Sequence, residues 1–267
     1  MFRQTLLIVS LLLTTGATAA EPAMSDTDAS AIQLSLNRGF EIFRYDQAAW
    51  HTTDTMLEDV KDPRGKGISG WVVTAADDGL LTTFWKKDGD GFRGVYSAIW
   101  TGSSVTHRQL LEGSDSNLGT QQIELIRARL AVDTSKLERC SDKPFNSVIL
   151  PAEKPGDPIL VYMLTPQTSA NSIPMGGHYR FAVVDGKTVE QRAFTKSCIE
   201  LPFGKSDRKN GKPEAMFITH VLDPIPTEIH VFSVFATKAP IYVGTSSNDH
   251  VWVTEISQGQ PRVRLIK

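Results

Sequence analysis

The sequence has few cysteines, no glycosylation acceptor and no apolar run long enough to cross a membrane. Its 267 residues include two cysteines and no Asn-x-Ser/Thr triplet. The apolar run near the N-terminus, from Leu6 to Leu13, is far shorter than the roughly 20 residues that span a bilayer. These absences predict a chain with no transmembrane anchor and at most one disulfide.

Several catalytic motifs are also missing. The pattern G-x-S-x-G is absent, since "GISGW" around Ser69 is one residue short of it. No two histidines have the HxH or HExxH spacing that forces metal ligands together. The formal net charge of −2 shows no basic excess, so we expect no nucleic-acid partner. The sequence therefore predicts no particular reaction.

The N-terminus has the pattern of a secretory signal peptide. One cation, Arg3, precedes the apolar run, and the small-residue signal Ala17-Thr18-Ala19 follows it. We therefore predict a signal peptide over residues 1–20, cleaved near Ala19/Ala20, and a mature chain in the periplasm or outside the cell. The short, bacterial-type signal and the missing glycosylation acceptor favour the periplasm.

The cysteines allow two interpretations. In an oxidising compartment, Cys140 and Cys198 are expected to form one disulfide. Alternatively, Cys198 in "FTKSCIEL" is a thiolate nucleophile, which requires a base that the local sequence does not identify.

Two helices are predicted from the pattern of apolar and capping residues. The first, "SDTDASAIQLSLNRG", begins at serine and aspartate and is expected to end at Gly39. The segment that follows it, around Trp50, has an ambiguous period. The second, "GTQQIELIRARLAV", places Ile123, Ile126 and Leu130 on one face.

Strands are predicted over most of the remaining chain. Runs of β-branched and aromatic residues alternate with turn dipeptides such as Asp78-Gly79 and Asp185-Gly186. The sequence therefore indicates an α+β fold, predominantly antiparallel β-sheet with two to three helices packed on it. We expect a single domain over residues 21–267, with an alternative subdomain boundary near 133–145. The predicted strands include "GWVVTA", "LLTTFWKK", "FRGVYSAIW", "NSVIL", "PILVYMLT", "HYRFAVV", "VEQRAFT", "AMFITHVL", "EIHVFSVFA", "IYVGT", "HVWVTEI" and "PRVRLI".

The stretch "THVLDPIPTEIH" carries the strongest candidates for chemistry. As two strands joined by a proline turn, it points His220 and His230 toward apolar neighbours. If His178 of "GGHYRF" joins them, the three imidazoles form a zinc or other divalent transition-metal site, with Asp223 or Glu228 as base. The alternative is that these histidines are buried, hydrogen-bonded and structural.

Two smaller features also leave alternatives open. In "YDQAAWHTTD", His51 and Asp54 orient each other for acid/base work, or Trp50 packs as part of an amphipathic segment. The glycine pair Gly176-Gly177 lets a ligand approach the backbone, or it simply begins a strand after a loop.

The sequence as a whole favours an exported, non-catalytic binding or envelope-associated module without a cofactor. Its ligand or envelope partner is unspecified. The competing hypothesis is a metal-dependent hydrolase that uses the three-histidine site.

Overall fold

A computed structural model describes residues 24–203 and 214–267. The predicted signal peptide over residues 1–20 lies outside these ranges. The described helices are α1 (Asp26–Asp59), α2 (Thr120–Leu130) and α3 (Glu228–Thr237). The described strands are β1 (Gly70–Ala76), β2 (Gly79–Asp88), β3 (Gly91–Trp100), β4 (Val105–Leu110), β5 (Asn146–Leu150), β6 (Ile159–Leu164), β7 (Ser172–Pro174), β8 (Tyr179–Val184), β9 (Lys187–Ala193), β10 (Glu200–Pro202), β11 (Met216–His220), β12 (Ile241–Thr245), β13 (His250–Ser257) and β14 (Gln260–Leu265).

The predicted α+β class is confirmed. Three four-stranded sheets have the orders β1-β2-β3-β4, β5-β6-β8-β9 and β11-β12-β13-β14, and β7 pairs with β10 in a small ribbon. We call the first three the N-terminal, middle and C-terminal sheets. Among the described strands one pair is parallel, β11 with β12, because α3 connects them as a crossover.

Helix α1 is much longer than predicted. Ser25 caps it by accepting a hydrogen bond from the Asp28 backbone N–H at 3.1 Å. The predicted end at Gly39 is wrong, because this glycine is buried where α1 crosses α3. A Cβ there would lie 2.5 Å from the Val231 Cβ and 2.6 Å from the Glu228 carbonyl oxygen. Gly39 therefore permits close helix packing and does not end the helix.

Helix α3 replaces a predicted strand, so the prediction for "EIHVFSVFA" is wrong. Eight of its ten residues are buried, and a helix buried on all sides lacks the amphipathic period that distinguishes helix from strand. The helix begins after Thr227 and ends at Thr237, before the capping residue Lys238, whose φ of 54° is left-handed. The strand alternation that pointed His230 toward apolar neighbours therefore does not apply.

Helix α2 forms as predicted, with a shifted buried face. Leu125, Ile126 and Ala128 are buried, whereas Leu130 is 48% exposed.

One of the two predicted turns forms at the predicted residues, whereas the turn predicted at Asp78-Gly79 lies one residue earlier, because Gly79 already pairs with Ala76. Asp185 and Gly186 both have positive φ, 49° and 69°, the backbone that a two-residue hairpin turn requires.

The largest hydrophobic cluster contains residues from both sides of segment 133–145. It includes Val73 and Leu80 before that segment and Val148, Val231 and Trp252 after it. The cluster places α1 and α3 beside the middle and C-terminal sheets. The division into one domain or two subdomains stays a prediction.

Candidate functional site

The stretch from Thr219 to His230 connects β11 to α3. His220 is the last residue of β11, and Glu228 is the first residue of α3. The connection is therefore a strand-to-helix loop and not the predicted hairpin. Loops at the carboxyl ends of strands that lead into helices are common places for ligand sites in α/β units.

The middle sheet presents a row of three polar side chains toward this loop. Tyr162 of β6 is directly opposite Arg180 of β8, which is directly opposite Arg192 of β9. Cross-strand partners on one face have Cβ atoms about 5 Å apart, so the two guanidinium groups are close neighbours. Such like charges need anionic partners, which are Asp223 of the loop and Glu228 at the start of α3.

Glu228 neutralises Arg180. One oxygen, Oε1, accepts hydrogen bonds from Arg180 Nη1 at 2.9 Å and from the Tyr162 hydroxyl at 3.2 Å. Arg180 Nη2 donates to Glu190 Oε1 at 2.8 Å. Burial, and after it the charge of Glu228, raises the pKa of Tyr162 well above its ordinary value. The Glu228 side chain is 5% exposed, so its carboxylate interacts with Arg180 and Tyr162 inside the protein and not with solvent.

Asp223 neutralises Arg192 in the same way. Its Oδ2 accepts from Arg192 Nη2 at 2.6 Å and lies 2.7 Å from His220 Nε2. Burial opposes ionisation here, but the hydrogen bond from His220 and the charge of Arg192 hold the pKa of Asp223 below its ordinary value. The Arg192 guanidinium also lies 4.7 Å above the Phe194 ring. Asp223 is thus an ion-pair partner on the loop.

The other two histidines are buried and bound to backbone. His178 Nδ1 accepts from the Thr165 N–H at 3.2 Å, and its Nε2 lies 2.9 Å from the Pro174 carbonyl oxygen. His230 Nδ1 accepts from the Thr227 N–H at 3.0 Å, which satisfies a donor at the start of α3. Burial lowers the pKa of His178 to about 4 and the pKa of His230 to about 3, so both are neutral near pH 7.

His178 is near enough to His230 for its charge to contribute to the lowered pKa of His230, but the nitrogens of the three imidazoles have other partners. His220 and His230 meet edge to face with ring centroids 4.9 Å apart, while both nitrogens of His178 are committed to backbone groups. Within residues 24–203 and 214–267, no group of three His, Cys, Asp or Glu side chains has a metal-binding arrangement.

The glycine pair ahead of His178 packs against the disulfide. Cys140 and Cys198 are bonded, as the sequence predicts. A Cβ on Gly177 would lie 2.6 Å from Cys140 Sγ, and one on Gly176 would lie 2.8 Å from the Cys198 Cα. The backbone of the two glycines therefore packs directly against the disulfide segment. This packing accounts for the glycine pair without a bound ligand.

A second glycine pattern also lacks a nucleotide-binding context. Residues Gly65, Gly67 and Gly70 have the spacing G-x-G-x-x-G, but they connect helix α1 to strand β1. The dinucleotide motif requires the opposite order, a strand followed by a helix. The spacing therefore carries no phosphate-binding function here.

The stretch around Trp50 lies on the last part of α1. The His51 ring is stacked between Trp50 and Trp100, with centroid distances of 4.9 Å and 4.0 Å. Trp50 is 56% exposed, so it does not pack as a core residue. Among the described residues no hydrogen bond connects His51 with Asp54, and the predicted acid/base pair does not form.

Sequence reasoning missed Tyr162, Arg180 and Arg192. Each is an ordinary member of a strand, and only the register of β6, β8 and β9 aligns them. The site is thus defined by an α+β fold in which the middle sheet binds the β11–α3 loop through two ion pairs. Comparison with family models, curated proteins and solved structures gives no match. No helix in the described part of the chain has the length and apolarity to cross a membrane.

Proposed function

We propose that this protein is an exported, non-catalytic binding module. One observation carries the proposal: both candidate catalytic carboxylates are engaged by arginines of the middle sheet, Asp223 by Arg192 and Glu228 by Arg180. A general base must be free to accept a proton from substrate or water. These carboxylates instead connect the β11–α3 loop to the sheet behind it.

Export is supported by the disulfide and by the N-terminal sequence. Disulfides persist mainly in oxidising compartments, and Cys140 and Cys198 are bonded. The first 20 residues have the pattern of a cleaved signal peptide. We place the mature protein in the periplasm or outside the cell, where its partner is a ligand or an envelope component.

The competing function, a metal-dependent hydrolase, is favoured by two contacts. His220 and His230 have ring centroids 4.9 Å apart, and Asp223 lies 2.7 Å from His220. His178, the third candidate ligand, has both nitrogens committed to backbone. The two functions predict different outcomes in a turnover assay.

The assay incubates the purified chain, with and without added zinc, with chromogenic carboxylic and phosphoric esters. The binding function predicts no turnover above buffer for the wild type, Asp223→Asn or Glu228→Gln. The matched control is Glu153→Gln, an exposed carboxylate outside the network. Turnover that Asp223→Asn or Glu228→Gln abolishes and Glu153→Gln preserves would contradict the proposal.

A further inference from the structure

A cleft separate from the β11–α3 loop has a different charge balance. It measures about 370 Å³ and lies between the end of α2, the loop that follows α2, and β6. This volume falls in the range of small-molecule sites, about 300–1,000 Å³. Its wall residues include Arg129, Thr134, Ser135, Arg139, Phe145 and Met163.

The described residues that line the cleft include two arginines and no carboxylate. Arg129 is half-buried and Arg139 is exposed, and the side chain of neither forms an ion pair or hydrogen bond with any residue in the described ranges. Burial lowers the pKa of Arg129, and no carboxylate offsets this effect, in contrast to Arg180 with Glu228. A partly desolvated cation without a partner is unfavourable, so the cleft is suited to an anion.

Asp133, the first acidic residue after α2, is already engaged by the turn, and Glu138 forms no ion pair with either arginine in the described part of the chain. Asp133 Oδ1 accepts from the Ser135 backbone N–H at 2.9 Å. That hydrogen bond, together with the Ser135 hydroxyl and the charge of Lys136, lowers the pKa of Asp133. Its carboxylate stabilises the turn after α2 and leaves the two arginines unneutralised.

The remaining wall is apolar and well fixed. Met163 is buried, and the Phe145 ring contacts the Tyr179 ring edge to face, with centroids 6.0 Å apart. The Tyr179 hydroxyl donates to the Glu138 carbonyl oxygen at 3.0 Å, and the Cys140–Cys198 disulfide anchors the same loop. Cationic and apolar surfaces are therefore held side by side, which suits a ligand with one anionic and one apolar part.

We propose that this cleft binds a small organic anion, a phosphate monoester or carboxylate that carries an apolar group. The oxyanion lies between Arg129 and Arg139, the Thr134 hydroxyl is an available donor, and the apolar group contacts Phe145 and Met163. Charge-assisted hydrogen bonds from paired guanidiniums are the usual means of recognising such oxyanions. This inference rests on the proposed binding function and names its ligand class.

The test is isothermal titration of the full mature chain with four probes. Phenyl phosphate and benzoate combine both ligand parts, inorganic phosphate has only the anion, and benzyl alcohol has only the apolar part. We expect phenyl phosphate, benzoate or both to bind at least about tenfold more tightly than either single-part probe. Phenyl phosphate as the tighter of the two indicates a phosphate-ester ligand, and benzoate as the tighter indicates a carboxylate.

Charge-removing variants locate the binding. Arg129→Gln and Arg139→Gln are each expected to weaken the tighter probe by about tenfold or more. Arg127→Gln is the matched control, because Arg127 is exposed on the same helix and is not part of the cleft wall. It should bind like the wild type. Arg129→Gln should unfold at the same urea concentration as the wild type or a higher one, since it removes an unpaired cation.

The contradicting outcomes are distinct. Failure of both two-part probes to bind the wild type, or equal binding to the Arg129→Gln/Arg139→Gln double variant, would overturn the cleft assignment and leave the binding function standing. Phosphorus NMR of the phenyl phosphate mixture tests the function itself. The ester should stay intact, whereas release of inorganic phosphate that Glu228→Gln abolishes would overturn the non-catalytic function.

Discussion

Arg180 Nη1 lies 2.9 Å from Glu228 Oε1, and the two side chains are 11% and 5% exposed. The pair joins the middle sheet to the first turn of α3, the helix that connects the two parallel strands of the C-terminal sheet. A desolvated charge is tolerable only while its partner is present. Each of the two buried charges is therefore stabilised by the other. The ion pair also stabilises the packing of the middle sheet against α3.

Removal of one charge of this pair should be strongly destabilising. For Arg180→Met we expect the free energy of unfolding to fall by about 3–5 kcal/mol, because Glu228 is left buried without its cation. The measurement is urea denaturation followed by far-UV circular dichroism. Arg44→Met is the control, since Arg44 pairs with Glu41 at 2.7 Å on the exposed surface of α1 and should cost about 1 kcal/mol or less. Equal losses in the two variants would contradict the assigned role of the buried pair.

The contact between Gly177 and the disulfide can be separated from backbone strain. Gly177 and Gly186 have nearly equal φ values, +71° and +69°. A Cβ at Gly177 would lie within 4 Å of other atoms, whereas a Cβ at Gly186 would not. We expect Gly186→Ala to cost about 1–2 kcal/mol and Gly177→Ala to cost about 2–4 kcal/mol, because only the second also overpacks Cys140. Urea denaturation measures both. If the free energy of unfolding falls equally in the two variants, the close approach of Gly177 to Cys140 does not contribute to the cost of the substitution.

The disulfide should contribute stability through the unfolded state. Its cysteines are 58 residues apart in sequence, for which the chain-entropy model gives about 4 kcal/mol. The Cys140→Ser/Cys198→Ser double variant should lose about this amount in urea denaturation without reductant. The wild type measured with reductant should approach the variant, and alkylation of the denatured, unreduced wild type should label neither cysteine. Labelling of Cys198 would revive its interpretation as a free thiol.

Stability should fall in mild acid because of buried neutral histidines. Burial lowers the pKa of His178 from 6.5 to about 4, although its hydrogen bond to the Pro174 carbonyl opposes the shift. Below pH 6.5, His178 is therefore protonated in the unfolded chain, but in the folded chain it is not protonated until the pH falls to about 4. The free energy of unfolding should decrease through this window by up to about 1.4 kcal/mol per pH unit for this residue.

The His178→Gln variant tests that origin. Its unfolding free energy, measured by urea denaturation at several pH values between about 6 and 4.5, should show a shallower pH dependence than the wild type. His107→Gln is the control, because the His107 side chain is 68% exposed, and it should keep the wild-type slope. A wild-type slope in His178→Gln would show that other groups produce the acid sensitivity.

Local patterns in the sequence predicted the antiparallel sheets and one hairpin turn but not the helix boundaries. Strand alternation and Asp-Gly dipeptides are local signals, and the hairpin at Asp185 and Gly186 follows from them. The helix end predicted at Gly39 is wrong because this glycine permits close packing against Val231, which is far away in the sequence. The strand predicted over α3 is wrong because a helix that is buried on nearly all sides has no amphipathic period.

The candidate site was half visible in the sequence. Asp223, Glu228 and His220 stand close together in one stretch and attracted attention by residue type. Arg180 and Arg192 did not, because their alignment depends on strand register and on the docking of one sheet against the loop of another. Without those arginines the carboxylates resembled free catalytic bases, and with them they are ion-pair partners.

The central proposal is that the polar network around the β11–α3 loop has a structural role and stabilises the fold. Its most direct test is elemental analysis of wild type and His220→Ala purified without chelator, together with urea denaturation of both. We predict no stoichiometric transition metal in either protein and a loss of about 1–3 kcal/mol in His220→Ala, because Asp223 loses a buried hydrogen-bond partner. One equivalent of zinc or another transition metal in the wild type that His220→Ala removes would contradict the account.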